Sequence, residues 1–186
     1  RYYAGWTDKV GGGVQPLGGG FLGFTHRQPY QVVGALLSWQ YPLASAVWKI
    51  APALALGCTI VVKPSEFTPL STLRLAEFLY DAGLPAGVVN VVTGYGHQAG
   101  EALSLHADVD ALGFVGSIES ARRVLVSSAK SNLKKVTCTT GCKGANIIFE
   151  DADLKRACQA AWKAIFTAAG QLCTAGTRLM VQASIY

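Results

Sequence analysis

Charge is scarce in this sequence. Asp, Glu, Lys and Arg supply 15% of its 186 residues, while hydrophobic residues supply 51%. About 25% charged is usual for a finished soluble surface. The shortage excludes intrinsic disorder, which needs low hydrophobicity and high charge. It also predicts that part of the surface is covered by more protein. Long basic runs are missing as well. The net charge is +5 and the pI about 9.0, yet no Lys/Arg run exceeds two residues, as at Arg122-Arg123 and Lys134-Lys135. A nucleic-acid groove needs a dense basic stripe, so nucleic acid is not an expected partner. No uninterrupted apolar run reaches the ~18 residues of a membrane span. The first residues, Arg1-Tyr2-Tyr3-Ala4-Gly5-Trp6, do not read as a signal peptide, and without an initiator Met they read as an internal cut. Paired cysteines are lacking too. The five present (Cys58, Cys138, Cys142, Cys158, Cys173) fit neither a disulfide framework nor paired CxxC zinc spacing. Cys138 and Cys142 lie four apart with no His or second Cys pair to complete a metal set, so no metal is expected. The reading is a reducing compartment, the cytoplasm.

What is present is alternation. The length suits about one domain, able to bury roughly 70% of its unfolded surface. Residues 10–23 carry Gly11-Gly12-Gly13 and Gly18-Gly19-Gly20 around a short apolar stretch, which reads as a hairpin or extended arm. Strand-like runs follow at 32–37, 59–62, 88–92, 111–115, 136–140 and 146–149. Helical patterns fall at 43–56, 71–82, 119–129 and 154–169, with a shorter helix up to Leu105. Strand and helix alternate four times between 32 and 130. Short links and continuous apolar strands predict an open parallel sheet with helices on both faces, an α/β Rossmann-like fold. Ligands of such sheets sit at the carboxyl ends of the strands.

Several polar or Gly-rich turns lie at those ends. Lys63 and Glu66 stand one turn apart and could hold ribose hydroxyls; an ordinary solvated loop is the plainer alternative. Gly94-x-Gly96-x-x-x-Gly100 opens a helix after a strand, one residue longer than the usual dinucleotide fingerprint. Gly116-Ser117 could offer backbone N–H groups to a phosphate, or Ser117 could simply cap the next helix. Three such features on successive strand ends point together to a nucleotide. Cys173, in Gly170-Gln171-Leu172-Cys173-Thr174-Ala175-Gly176, follows a helix and is flanked by small residues that leave a thiol accessible. Access is one requirement of a nucleophilic Cys. The other four cysteines read as small buried apolar residues. His26, His97 and His106 read as surface or capping residues.

Together these segments resemble the aldehyde dehydrogenase superfamily. Trp39-Gln40-Tyr41-Pro42, Lys63-Pro64-Ser65-Glu66, Phe114-Val115-Gly116-Ser117 and Gly170-Gln171-Leu172-Cys173 stand in family order and spacing, as does Gly83 to Val92. The resemblance implies a truncated chain, under half of a full member. Residues 1–30 would be the end of an N-terminal helix and an oligomerisation arm, 31–140 an NAD-binding domain, and 141–186 the start of a catalytic domain. It implies oxidation of a small-molecule aldehyde to an acid through a Cys173 thiohemiacetal and thioester. Leu37, Trp39, Lys63, Glu66, Gly96, Gly100, Phe114, Gly116 and Ser117 would bind the cofactor. That cofactor would be NAD rather than NADP, because Glu66 repels a 2′-phosphate. The protein would be a homo-oligomer through residues 10–30.

The sequence departs from the family pattern where chemistry is expected. The oxyanion amide position, an Asn in the family, holds Gln40. The general-base position, a Glu in the family, holds Thr139, whose hydroxyl cannot take a proton near neutral pH. Cys142 stands where the same motif has Gly. These departures support a second reading: a catalytically impaired member with a binding or structural, crystallin-like role.

Overall fold

The computed structural model describes residues 1–186. After a tight helical turn at Tyr3–Trp6, strands β1 (Val14–Pro16) and β2 (Leu22–Phe24) pair antiparallel as a hairpin. There follow β3 (Val32–Leu36), α1 (Pro42–Ala55), β4 (Thr59–Lys63), α2 (Leu70–Asp81), β5 (Val89–Val91), α3 (Glu101–Leu105), β6 (Ala111–Gly116), α4 (Ile118–Lys130) and β7 (Lys135–Thr140). The chain ends with β8 (Ala145–Ile148), α5 (Leu154–Phe166) and β9 (Arg178–Val181).

The five central strands form one parallel sheet in the order β5-β4-β3-β6-β7. Alternating side chains send the residues of each strand to opposite faces. On one face Ala35, Leu37, Ile60 and Val62 meet Ala46, Ile50 and Ala53 of α1, with Leu75 and Leu79 of α2 beside them. On the other, Leu36, Leu112 and Phe114 meet Ala121 and Val124 of α4 and Leu103 of α3. Both faces are therefore covered, as the apolar strands require. Gly34, in the middle of β3, has no room for a side chain: a Cβ there would lie 2.5 Å from Leu112 Cδ1. The two halves of the sheet are tied at β3 and β6. Val32 N donates to the Asp110 carboxylate at 2.8 Å, and Asp110 N donates back to the Val32 carbonyl at 2.8 Å.

Helix entries follow side-chain chemistry. Pro42 begins α1, where a missing N–H is harmless. Ser117 caps α4 by accepting from Ser120 N at 3.1 Å, and Asp153 caps α5 by accepting from Arg156 N at 3.1 Å.

Three local expectations change. The helix expected over 154–169 stops at Phe166, because Ala168 and Ala169 take left-handed φ of 52° and 58°. The segment after β5 does not run straight into an α-helix: Gly96–Gly100 makes a wide turn before the short α3. The first residues form only one tight turn. Strands β8 and β9 pair in parallel as a separate two-stranded sheet, and α5 buries none of its residues. Trp162 and Phe166 are 63% and 61% exposed there. No helix is long and apolar enough to cross a membrane.

Candidate active site

The strand order reverses between β3 and β6, since β4 and β5 continue on one side and β7 on the other. A crevice forms outside the carboxyl ends of strands at such a switch point. Here it is a cavity of about 660 Å³. Its walls bring together six of the expected residues: Leu37 after β3, Lys63 and Glu66 after β4, Gly96 and Gly100 after β5, and Phe114 on β6. Lys63 is nearly enclosed, with 6% of its side chain exposed, and Nζ lies 3.1 Å from Glu66 Oε2. A buried cation needs such a partner. The Glu66 carboxyl is held below the usual carboxylate range, first by its own backbone N–H and then by Lys63 and His97, against burial. An ammonium with spare donors beside an ionised carboxylate can serve both the lone pairs and the protons of a sugar diol. Ser38 Oγ, between Leu37 and Trp39, is buried without a hydrogen-bond partner.

Trp39, Gly116 and Ser117 are not among the residues of the cavity wall. The Trp39 carbonyl accepts from Thr68 Oγ1 at 3.4 Å. Gly116 lies under the Phe114 ring: a Cβ at Gly116 would meet Phe114 Cζ at 2.6 Å. The Ser117 hydroxyl is engaged as the cap of α4, and Ser120 from that first turn reaches the wall instead.

A second cluster starts three residues beyond Leu37. Gln40 Nε2 donates to the Gln171 carbonyl at 2.5 Å, across 131 residues of sequence. This bond ties the segment after β3 to the one carrying Cys173. Cys173 is half-buried, and Cys142 Sγ lies 4.0 Å from its carbonyl oxygen. Thr139 is exposed on the edge strand β7, paired with Val115. By alternation it shares the sheet face of Gly113, where the Lys49 stem lies; a Cβ on Gly113 would be 3.3 Å from Lys49 Cδ. Burial lowers the Lys49 pKa, and Cys138 partly offsets this.

The profile of the aldehyde dehydrogenase family matches residues 1–186. The chain belongs to the aldehyde dehydrogenase family. It is 46% identical to retinal dehydrogenase 2 of Mus musculus and 48% identical to aldehyde dehydrogenase 1A1 of Equus caballus, each over all 186 residues. It spans 36% and 37% of those relatives' lengths. Among solved structures, PnpE in complex with nicotinamide adenine dinucleotide superposes with a TM-score of 0.95 at 49% identity. The match covers 100% of this chain and 38% of that one. The NAD+ complex of an aldehyde dehydrogenase from Bacillus cereus gives 0.95 at 45% identity, covering 100% of this chain and 38% of that one.

In this aldehyde dehydrogenase chain several cavity groups escaped the sequence reading. His97, expected at the surface or as a cap, lines the cavity and stacks on Tyr95 with ring centroids 5.6 Å apart. Ser120, Arg123, Val124, Ser127 and Lys130 of α4 also line it. Arg122 and Val126 line it too, so α4 contributes more than one helical stripe and gave no single-face signal. Lys49 gave no signal, because its neighbour Gly113 comes from a distant strand. His106 is at the surface, one of the two expectations for it, and its Nδ1 accepts from Asp108 N at 3.2 Å in the turn after α3. The cysteine expectation is corrected: only Cys58 is buried, while Cys138, Cys142 and Cys158 are exposed, since they sit on the edge strand, a loop and an uncovered helix.

Proposed function

We propose that this chain carries the nicotinamide site and the nucleophile of an NAD-dependent enzyme that oxidises a small aldehyde to a carboxylic acid. One observation carries the reading. The carboxyl end of β3 supplies Leu37 to the cavity and, three residues later, Gln40 to the Cys173 segment. One turn of chain thus links the cavity to the segment that carries Cys173.

The cavity's volume of about 660 Å³ and its position at the switch point support a dinucleotide as ligand. Lys63 and Glu66 would hold the adenosine ribose, and Gly96 and Gly100 would leave space for the adenine. Leu37 and Phe114 would wall the site, and Trp39, outside the cavity wall, would reach the cofactor only if its side chain turned inward. The turn at Gly116 and Ser117, leading into α4, would offer N–H groups to the diphosphate. An ionised Glu66 accepts from a 2′-hydroxyl and repels a 2′-phosphate, which favours NAD over NADP. When bound, the nicotinamide ring supplies the hydride acceptor. The Cys173 thiolate would attack the aldehyde carbon and form a thiohemiacetal, later a thioester. Its own N–H and the Gln40 amide would hold the oxyanion, for which Gln40 must leave Gln171. Thr139 cannot activate water, so thioester hydrolysis would be slow. Homo-oligomerisation through residues 10–30 is part of the reading, supported by the exposed Val14, Phe21, Leu22 and Phe24 of the hairpin. So is a reducing cytoplasmic setting, supported by the odd number and the spacing of the five cysteines.

The second reading, a non-catalytic binding or structural role, is favoured by Thr139 at the base position. The test mixes full-length protein with aldehyde and NAD and follows NADH absorbance. A burst of at most one equivalent per Cys173, then slow turnover, is the expected result. NAD binding without a burst favours the non-catalytic role. Neither binding nor burst overturns the proposal.

A further inference from the structure

The sulfur of Cys142 touches the main chain of Cys173 at 4.0 Å. Strand pairing holds the two segments side by side. Ala145 of β8 pairs with Arg178 of β9, and Arg178 N donates to the Gly144 carbonyl at 3.3 Å. Arg178 Nη2 donates to the Lys143 carbonyl at 2.6 Å, so the Arg178 side chain holds the residue after Cys142 beside the start of β9. Cys142 is exposed and Cys173 half-buried, so a small oxidant reaches both. The backbone before Cys142 has room to adjust. Gly141 precedes Cys142 in open space, and Gly170 and Gly176 flank the Cys173 turn. Ala168 and Ala169, just upstream, hold left-handed φ of 52° and 58°, a conformation strained for a non-glycine residue. Relaxing them would shift the Cys173 turn.

We propose that Cys142 and Cys173 form a reversible disulfide, with Cys142 resolving the oxidised form of Cys173. A hydroperoxide is the oxidant. The Cys173 thiolate attacks one peroxide oxygen, the O–O bond breaks, and Cys173 sulfenic acid forms with release of water or an alcohol. The Cys142 thiol then attacks that sulfur. The S–S bond forms, the S–O bond breaks, and the departing hydroxide leaves with the thiol proton as water. Two thiols lose two electrons and two protons, and the peroxide takes them up. The disulfide blocks Cys173 and keeps it from irreversible oxidation to sulfinic acid. It depends on the thiol of Cys173, not on aldehyde oxidation.

The test treats the full-length protein with hydrogen peroxide, labels remaining thiols with N-ethylmaleimide, and maps tryptic peptides without reduction. The expected product joins Val136–Lys143 to Ala164–Arg178 and disappears on treatment with dithiothreitol. Cys138 shares the first peptide, so two variants locate the bond. Cys138→Ser keeps the cross-link. Cys142→Ser loses it, and Cys173 then proceeds to sulfinic acid. Cys173 left unoxidised, or found as sulfinic acid beside a labelled Cys142 in the parent, overturns the proposal. So does a cross-link that survives Cys142→Ser. The parent protein decides the matter if either variant fails to fold. None of these readouts needs aldehyde turnover, so the result is independent of the catalytic reading.

Discussion

Replacing Lys63 with Met keeps the length of a stem that is 6% exposed and removes only its charged end. Two losses follow at the cavity. A ribose hydroxyl loses a charge-assisted hydrogen bond, worth about 1.5–3 kcal/mol. At about 1.4 kcal/mol per decade this is roughly 10- to 150-fold in Kd. Glu66 loses its partner at 3.1 Å, but its main anchor, its own backbone N–H, remains. The carboxylate therefore stays ionised at neutral pH and would stand uncompensated beside the ribose of an anionic ligand, which pushes the effect toward the upper part of that range. Calorimetric titration of full-length Lys63→Met with NAD measures it, with a thermal melt in the absence of NAD as the folding control. An affinity within about threefold of the parent, in a normally folded variant, refutes the claim that this amine holds the cofactor. The pH dependence gives a second check. The folded-state pKa of Glu66 is depressed, so its contribution is complete above the ordinary carboxylate range and is lost as pH falls through the depressed value. NAD affinity should therefore not fall through loss of Glu66 charge between neutral pH and the ordinary carboxylate range, only below it.

Thr139→Glu should raise steady-state NADH production by roughly 10²–10⁴, the usual worth of a positioned general base. If turnover stays flat, Gln40→Asn in the same background tests the oxyanion donor. Gly34→Ala places a methyl 2.5 Å from Leu112 Cδ1 and 3.3 Å from Leu103 Cγ, so urea unfolding should show a loss of about 1–3 kcal/mol. An unchanged midpoint would mean that the sheet face is loosely packed. Lys134→Met removes bonds from Nζ to the Ser104 carbonyl and Ser131 Oγ, each 2.7 Å. Leaving a buried carbonyl unpaired should cost about 1–3 kcal/mol in the same assay.

The parallel sheet was legible because its strands are continuous apolar runs and its helices have clear ends. Glycine and proline placed those ends, as at Gly57 and Pro42. The cavity was legible for a related reason. Each strand end announces itself by a polar or Gly-rich turn, so Lys63, Glu66, Gly96 and Gly100 could be picked out singly. Their meeting needed the strand order, which is not a local property. His97 was missed because a stacked imidazole on a cavity wall has the same spacing as a surface one. Ala168 and Ala169 carry no sign of their left-handed backbone, since alanine ordinarily favours a helix. The exposed cysteines were misread because burial of a small thiol depends on what packs over it, and β8, β9 and α5 lie largely uncovered.

The reversal of strand order at β3 and β6 also sets an order of assembly. Thr59 at the start of β4 bonds back to Gln31 across 28 residues, whereas the Val32–Asp110 clamp closes across 78. The longer closure costs about 0.9 kcal/mol more in chain entropy. It also joins two units, β3-α1-β4-α2-β5 and β6-α4-β7, that are each built from nearer neighbours. On this count the β3–β6 seam should close last and bring the cavity walls together, which a φ-value series across β3 and β6 would check. A nucleotide bound as proposed would then act as a late lock on the seam, slowing its opening without hastening the steps before it.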